Sequence, residues 1–192
     1  LAMMSIGSCS PEANPISKLP VPSKVPAARS VALSLPNTWS GDEDETPLNI
    51  VANTAASKLE AAGFEVLAKY KSIKKGKTIV FTCPTLKAEA AKPGRAYIAV
   101  LRMFVDEKEK SVSITNPVYW GKAFMQDEYN HAKFSAVADK INTAFPGLKK
   151  SADEWDYDAL SGYHFTVGMP YYEDQPVVGE GSNADLLEKA KG

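Results

Sequence analysis

The sequence predicts an α+β fold: an antiparallel sheet of about five strands with two main helices packed on it, behind a Pro-rich extended N-terminal segment. Three observations predict it. Between residues 64 and 115, four segments of strand length alternate or run apolar between turn-rich connections. On either side of them, residues 47–62 and 128–145 place apolar side chains at helical spacing. Six prolines, Pro11, Pro15, Pro20, Pro22, Pro26 and Pro36, fall in the stretch before them. Each removes a donor and fixes φ, so no helix or central strand runs through. The division that follows is a start and tether over residues 1–40, one domain over 41–175, and a tail with a short helix over 176–192.

At the chain start, Ile6-Gly7-Ser8-Cys9 places an aliphatic and two small residues before a cysteine. This resembles a bacterial lipobox, in which the thiol takes a diacylglycerol; Leu1–Ile6 then reads as the end of an apolar signal region. The expectation is lipidation at Cys9, with the proline-interleaved stretch from Ser10 to Pro36 as an extended tether. Ser30–Leu35 is the exception within it and reads as a first, edge strand.

In the body, Thr46 before Pro47 suits an N-cap followed by proline at the first helical position. Leu48, Val51, Ala55, Leu59 and Ala62 follow on one face, and Gly63 is placed to end the helix. Phe64, Val66, Ala68 and Tyr70 alternate as a strand, and Ser72–Lys77 reads as an exposed connection. Thr78–Cys83 is a short apolar strand closed by Pro84, with one or two helical turns over Thr85–Lys92 and a turn at Pro93-Gly94. Ala96–Val105 is apolar on both faces except at Arg102, which predicts a central strand covered on both sides. Asp106–Lys110 is a charged hairpin turn, Ser111–Thr115 the returning strand, and Asn116-Pro117 its end. The second helix carries Phe134, Val137 and Ile141 and stops at Pro146-Gly147. Ser151–Ala159 reads as acidic and irregular, Tyr163–Met169 as a last strand, and Ser182-Asn183 as the cap of a helix over Ala184–Lys191.

Composition limits function before any motif does. Hydrophobic residues make up 44% and charged residues 23%, as in ordinary globular domains, and the formal net charge is -1. That balance lacks the cationic excess by which nucleic-acid binders displace counterions, so no nucleic-acid partner is expected. No apolar run reaches the roughly 18 residues of a membrane span, which leaves a lipid anchor as the only membrane attachment. Two cysteines and two histidines cannot build a multi-cysteine zinc site, and no phosphate-loop, dinucleotide, zinc-protease or serine-hydrolase signature occurs. No cofactor or metal is expected.

Three stretches resemble the bacterial "domain of unknown function 302" family. Pro47–Leu67 (PLNIVANTAASKLEAAGFEVL) is similar to that family's helix ending in a Gly-Phe-x-Val-Leu turn into the sheet. Val80–Ala90 (VFTCPTLKAEA) resembles its strand, Cys/Gly, Asn-Pro, short-helix segment. Tyr97–Pro117 (YIAVLRMFVDEKEKSVSITNP) resembles its long hairpin ending in Asn-Pro, and Lys133–Phe145 its closing helix. The resemblance covers Pro47–Phe145 and implies a β-α-β4-α body of TATA-binding-protein-like fold, with self-association. Two departures stand out: Pro84 follows Cys83 directly, and Ser151–Tyr172 runs past the usual end. The family has no settled reaction, so the resemblance transfers no catalytic residue.

Chemistry-bearing residues are few. Cys83, before a proline at a strand end, is either a buried thiol or a pocket nucleophile near a helix start. His164, flanked by Tyr163 and Phe165, and His131 are either isolated polar side chains or, brought together with Cys83 or Met169, a metal site. The acidic cluster Asp153, Glu154, Asp156 and Asp158 lacks the ligand alternation of a calcium loop. Val118–Met125 (VYWGKAFM) reads as an aromatic loop presenting Tyr119, Trp120, Lys122, Phe124 and Met125, which Tyr171, Tyr172, Tyr163 and Trp155 join, to line a contact surface or to cover the sheet edge. Two functions follow. One is a non-enzymatic accessory or binding protein, lipid-anchored on the extracytoplasmic or periplasmic face of a bacterial envelope, docking a protein partner or membrane complex through that loop. The alternative is a small-ligand or catalytic domain with Cys83, His164 and Lys122 in a pocket between sheet and second helix.

Overall fold

The computed structural model describes residues 20–32, 46–125, 128–162, 167–169 and 179–191. Cys9, His164, Tyr163, Tyr171 and Tyr172 therefore lie outside the described residues. The fold is mixed α+β, with a six-stranded and a two-stranded antiparallel sheet.

Thr46 caps the first helix as its sequence predicts: its hydroxyl accepts from the Asn49 amide at 3.2 Å, and α1 runs Pro47–Ala61. Leu48, Val51, Ala55 and Leu59 are buried. Gly63 takes a φ of 83°, which lets the chain turn at once into the sheet. β3 (Glu65–Ile73) and β4 (Gly76–Thr82) form a hairpin. Its connection is only Lys74-Lys75, because strand pairing persists through Ile73↔Gly76, shorter than the expected exposed link over Ser72–Lys77. α2 (Pro84–Ala90) follows. The expected central strand over Ala96–Val105 is corrected. Its first part is a 3-10 turn over Ala96–Ile98, and β5 spans Leu101–Asp106. β5 is central, but only one of its faces is covered: Leu101, Met103 and Val105 are buried, while Arg102 is exposed.

The Asp106 carboxylate accepts from the amides of Lys108 and Glu109, closing the hairpin into β6 (Ser111–Thr115). After it come α3 (Pro117–Met125) and α4 (His131–Ala144), the latter capped by Asn130 on the Lys133 amide. β7 (Lys149–Lys150) precedes the segment Ser151–Ala159 expected to be irregular, and β8 (Glu154–Asp156) lies within it. α5 (Asn183–Lys191) is capped by Ser182, whose hydroxyl accepts from the Asp185 amide, and buries no side chain. Val167–Met169 is an exposed turn with Gly168 at φ 86°, so the expected last strand does not reach these residues.

The sheet order is β3-β4-β5-β6-β2-β7, where β2 spans Ala28–Ala32. The first strand expected over Ser30–Leu35 is met by β2 at residues 30–32, with 33–35 outside the described residues, but it is not an edge: it lies between β6 and β7. β1 (Lys24–Pro26) pairs with β8 outside this sheet, and Val25 is 2% exposed within the core. Residues 24–32 are therefore part of the body and not of a tether. An isolated strand of three residues leaves too little periodicity to be read, and Pro26 argues against one; the pairing survives because proline needs no donor at a strand's last position.

α1 lies across β3, β4 and β5 and meets α4, so one face of the sheet is covered. The core joins Phe81, Ile79, Met103, Ile114, Leu59, Phe134 and Val25. Phe64 packs edge-on against Phe81, with ring centroids 5.3 Å apart. Among the described residues no helix covers the opposite face. There Phe104 lies over Gly76, where any Cβ would collide with its ring.

Candidate functional site

Where an aromatic loop was expected, the chain forms helix α3. Asn116 explains why. Its side-chain oxygen accepts from the Val118 amide at 3.1 Å, capping the helix, while its amide group donates to the Pro26 carbonyl at 2.8 Å. Pro117 then occupies the first helical position, where its missing donor is harmless. The signal was present in the sequence: Val118, Gly121 and Met125, all buried, stand at helical spacing.

A helix sends these side chains in different directions. Tyr119 is buried in the core. Lys122 lies over the Tyr157 ring, 5.3 Å from its centroid, and takes no part in the aromatic group. Gly121 is buried where α3 crosses α4, and a Cβ there would come 2.7 Å from Phe134 Cδ1 and 2.8 Å from Tyr129 Cε2. Trp120 and Phe124, four residues apart, share the remaining face and stack with centroids 4.9 Å apart and planes at 12°. Phe124 also stacks on Tyr97, at 5.4 Å and 22°. Tyr97 comes from the 3-10 turn before β5 and is 46% exposed, whereas Trp120 and Phe124 are half-buried. The result is a ledge of three near-parallel rings with its outer end in solvent. Of the expected residues, Trp120 and Phe124 stack and the buried Tyr119 meets Trp120 edge-on with centroids 6.3 Å apart, whereas Lys122 lies over Tyr157; Tyr97 was missed. Trp155, opposite Val25 in the β1–β8 pair, is not part of the ledge.

An ionic knot around one buried carboxylate ties α2 to α4 and to Arg95, the residue before the 3-10 turn that carries Tyr97. Glu89, on α2, is 3% exposed and is reached by Lys133 from α4, by Lys92 at 3.0 Å and by Arg95 at 2.9 Å. Arg95 also pairs with Glu128. The Lys133 hydrogen bond, with help from Lys92, holds the Glu89 carboxyl below its usual range against the opposing effect of burial.

The second cluster centres on His131. Tyr129 Oη lies 3.2 Å from its Nδ1, and Ser135 Oγ lies 3.1 Å from its Nε2. Tyr157 Oη stands 3.5 Å from Nδ1. Burial pushes the imidazole below its usual range, opposed by the Pro20 carbonyl, and burial pushes both tyrosines up. His131 and Ser135 line a cleft of about 270 Å³ between α4 and the β1–β2 arm, with Lys24, Arg29, Asp139 and Lys150 around it. The Arg29 guanidinium is held by the Asn142 side chain at 2.6 Å. A neutral histidine accepts from one of these hydroxyls and donates to the other, so it can relay a proton, but among the described residues no carboxylate hydrogen-bonds it to fix the tautomer a triad needs.

Cys83 is 1% exposed, at the start of α2 in the core, and lines none of the clefts described. Of its two readings, the buried thiol is the one the structure matches, and the pocket role gives way: Cys83 sits at the N-cap of α2 with its side chain in the core. Among the described residues no group of three acidic, histidine or cysteine side chains is placed to hold a metal, and no helix is long and apolar enough to cross a membrane.

No family model, curated protein or solved structure matches the chain. The site is accordingly read from its own geometry.

Proposed function

We propose that the chain is an accessory or binding module that docks a protein partner through the Tyr97–Phe124–Trp120 ledge, tethered to a bacterial envelope membrane through lipid on Cys9. One observation carries this reading: two elements far apart in sequence converge to hold three rings in parallel with one end in solvent. Rigid aromatic side chains bury large area at low entropic cost, which is why they dominate protein contact surfaces.

The test is a photo-reactive phenylalanine derivative placed at Tyr97 and, as a control, at exposed Lys140 on α4. In native membranes, the Tyr97 position should cross-link one defined protein that the Lys140 position does not. Identical patterns from both positions would refute the ledge as the docking surface.

A second reading is favoured by the His131 cleft: a small-ligand or catalytic domain, as the alternative anticipates, but with its pocket between α4 and the β1–β2 arm. There His131 and Ser135 replace Cys83 and His164 as the polar groups. A ligand-induced chemical-shift change at Ser135 that vanishes in His131→Ala would support it.

A further inference from the structure

The far end of the β3–β4 hairpin reverses the polarity expected of a sheet with one covered face. Cross-strand partners share a face, so Lys69, opposite Ile79, lies on the helix side. Lys71 and Lys77 are opposite each other, and Lys77 is in turn opposite Val105 of the core face. Three lysines thus stand on the side where apolar residues pack elsewhere. Across the strand, on the opposite side, Tyr70 and Ile73 are exposed. Inward-pointing charges and bulges are both devices by which a sheet protects an edge strand, and β3 lies at the edge and carries two bulges. What takes these lysines beyond edge protection is the concave space they share.

These lysines do not face bulk solvent alone. Lys69, Lys71, Lys74 and Lys77 line a cleft of about 740 Å³ with Thr46, Asn49, Tyr70 and Glu107. Among the described residues Glu107 is the single carboxylate lining it against four ammonium groups; the acidic residues 42–45, next in sequence to Thr46, lie outside the described residues. Lys69 is held by the Asn53 side chain at 2.8 Å, and no ion pair among the described residues uses Lys71, Lys74 or Lys77. The fifteen-residue helix α1 begins at the same cleft with no acidic residue in its first turn, adding the positive end of its dipole to the lysine field. In a chain whose formal net charge is -1, this is a local concentration of cationic groups around a concave space.

We propose that this cleft binds a phosphate-bearing anion, with Lys71 and Lys77 as the principal contacts and Lys69 and Lys74 at its rim. The ligand chemistry is a phosphate group carrying at least one further charge or a polar body, borne by a soluble compound or by an anionic lipid headgroup. Binding is electrostatic and weakens with salt. None of the three ledge rings lines this cleft.

The test uses the full chain at about 20 mM ionic strength, where screening is weak. Inorganic pyrophosphate is titrated calorimetrically, and vesicles of phosphatidylglycerol with phosphatidylcholine are compared with phosphatidylcholine alone by co-sedimentation. Saturable pyrophosphate binding assigns a soluble phosphate compound. Retention on phosphatidylglycerol vesicles without pyrophosphate binding assigns a headgroup. In either case Lys71→Gln with Lys77→Gln should weaken binding about tenfold or more. Lys71→Arg with Lys77→Arg should retain it, and Lys140→Gln with Lys149→Gln, on α4 and at the opposite edge of the sheet, should not change it. Failure to bind either probe, or binding equally lowered by the remote pair, overturns the site. A circular-dichroism melt of each variant separates lost binding from lost fold.

Discussion

Glu89 and Gly121 show how single residues secure the ledge. Glu89 is a buried carboxylate among three cations, and its lowered pKa makes the folded state bind its proton more weakly than the unfolded chain does. Its contribution is therefore complete above the unfolded value of 4.5 and is lost as pH falls through the folded value. Glu89→Gln should cost about 2 kcal/mol at neutral pH, and the difference from the parent should shrink in acid urea melts below about pH 4. A constant difference across that range would refute the assigned linkage. At Gly121, alanine improves helix propensity by up to about 1 kcal/mol. It also drives a Cβ into the rings of Phe134 and Tyr129. Gly121→Ala is predicted to lower stability by about 1 to 3 kcal/mol, read from denaturant midpoints. Neither role was legible in the sequence. Glu89 looks like one more charge on a short helix, and a glycine within an aromatic run reads as a loop former until the crossing of α3 and α4 is known.

At the scale of elements, α3 joins the arm to the body. Asn116 caps it and reaches back to the Pro26 carbonyl, and its own amide donates to the Ala27 carbonyl at 3.1 Å. Replacement by leucine removes the cap and leaves a buried carbonyl unpaired; a loss of about 2 to 4 kcal/mol is expected from chemical denaturation. The ledge separates docking from folding. Trp120→Ala removes half-buried packing and should cost about 1 to 2 kcal/mol. Tyr97→Ser, at the exposed end, should stay within about 0.5 kcal/mol of the parent. Equal losses would mean that Tyr97 serves the fold. Elements with long periodicity, α1 and α4, were readable from spacing and caps, as were the β5–β6 hairpin turn and β6. Those of two or three residues, β1, β7 and β8, were not, because their stability comes from partners distant in sequence.

For the whole molecule, the body begins earlier than composition indicates. Proline density reads as a tether, yet Val25 is among the most buried side chains and β1 closes the far side of the His131 cleft. Val25→Asp is predicted to destabilise by roughly 2 to 4 kcal/mol, since a charge would be placed in the core. The α+β class and the helix-on-one-face architecture were legible because alternation and helical spacing determine which surfaces must be covered. The sites were less so. The ledge, the His131 cleft and the lysine cleft each draw on elements separated by tens of residues, and no local pattern announces that convergence.

The central claim, a tethered module docking a partner through the ledge, is tested most directly on native membranes solubilised in mild detergent. The parent chain and Tyr97→Ser are compared by size exclusion, with mass spectrometry of comigrating proteins and of the intact chain. The account predicts a lipid-modified Cys9 and comigration of the parent with a defined complex that Tyr97→Ser leaves. Elution of the parent as a free, unmodified species, or unchanged comigration of the variant, would contradict it.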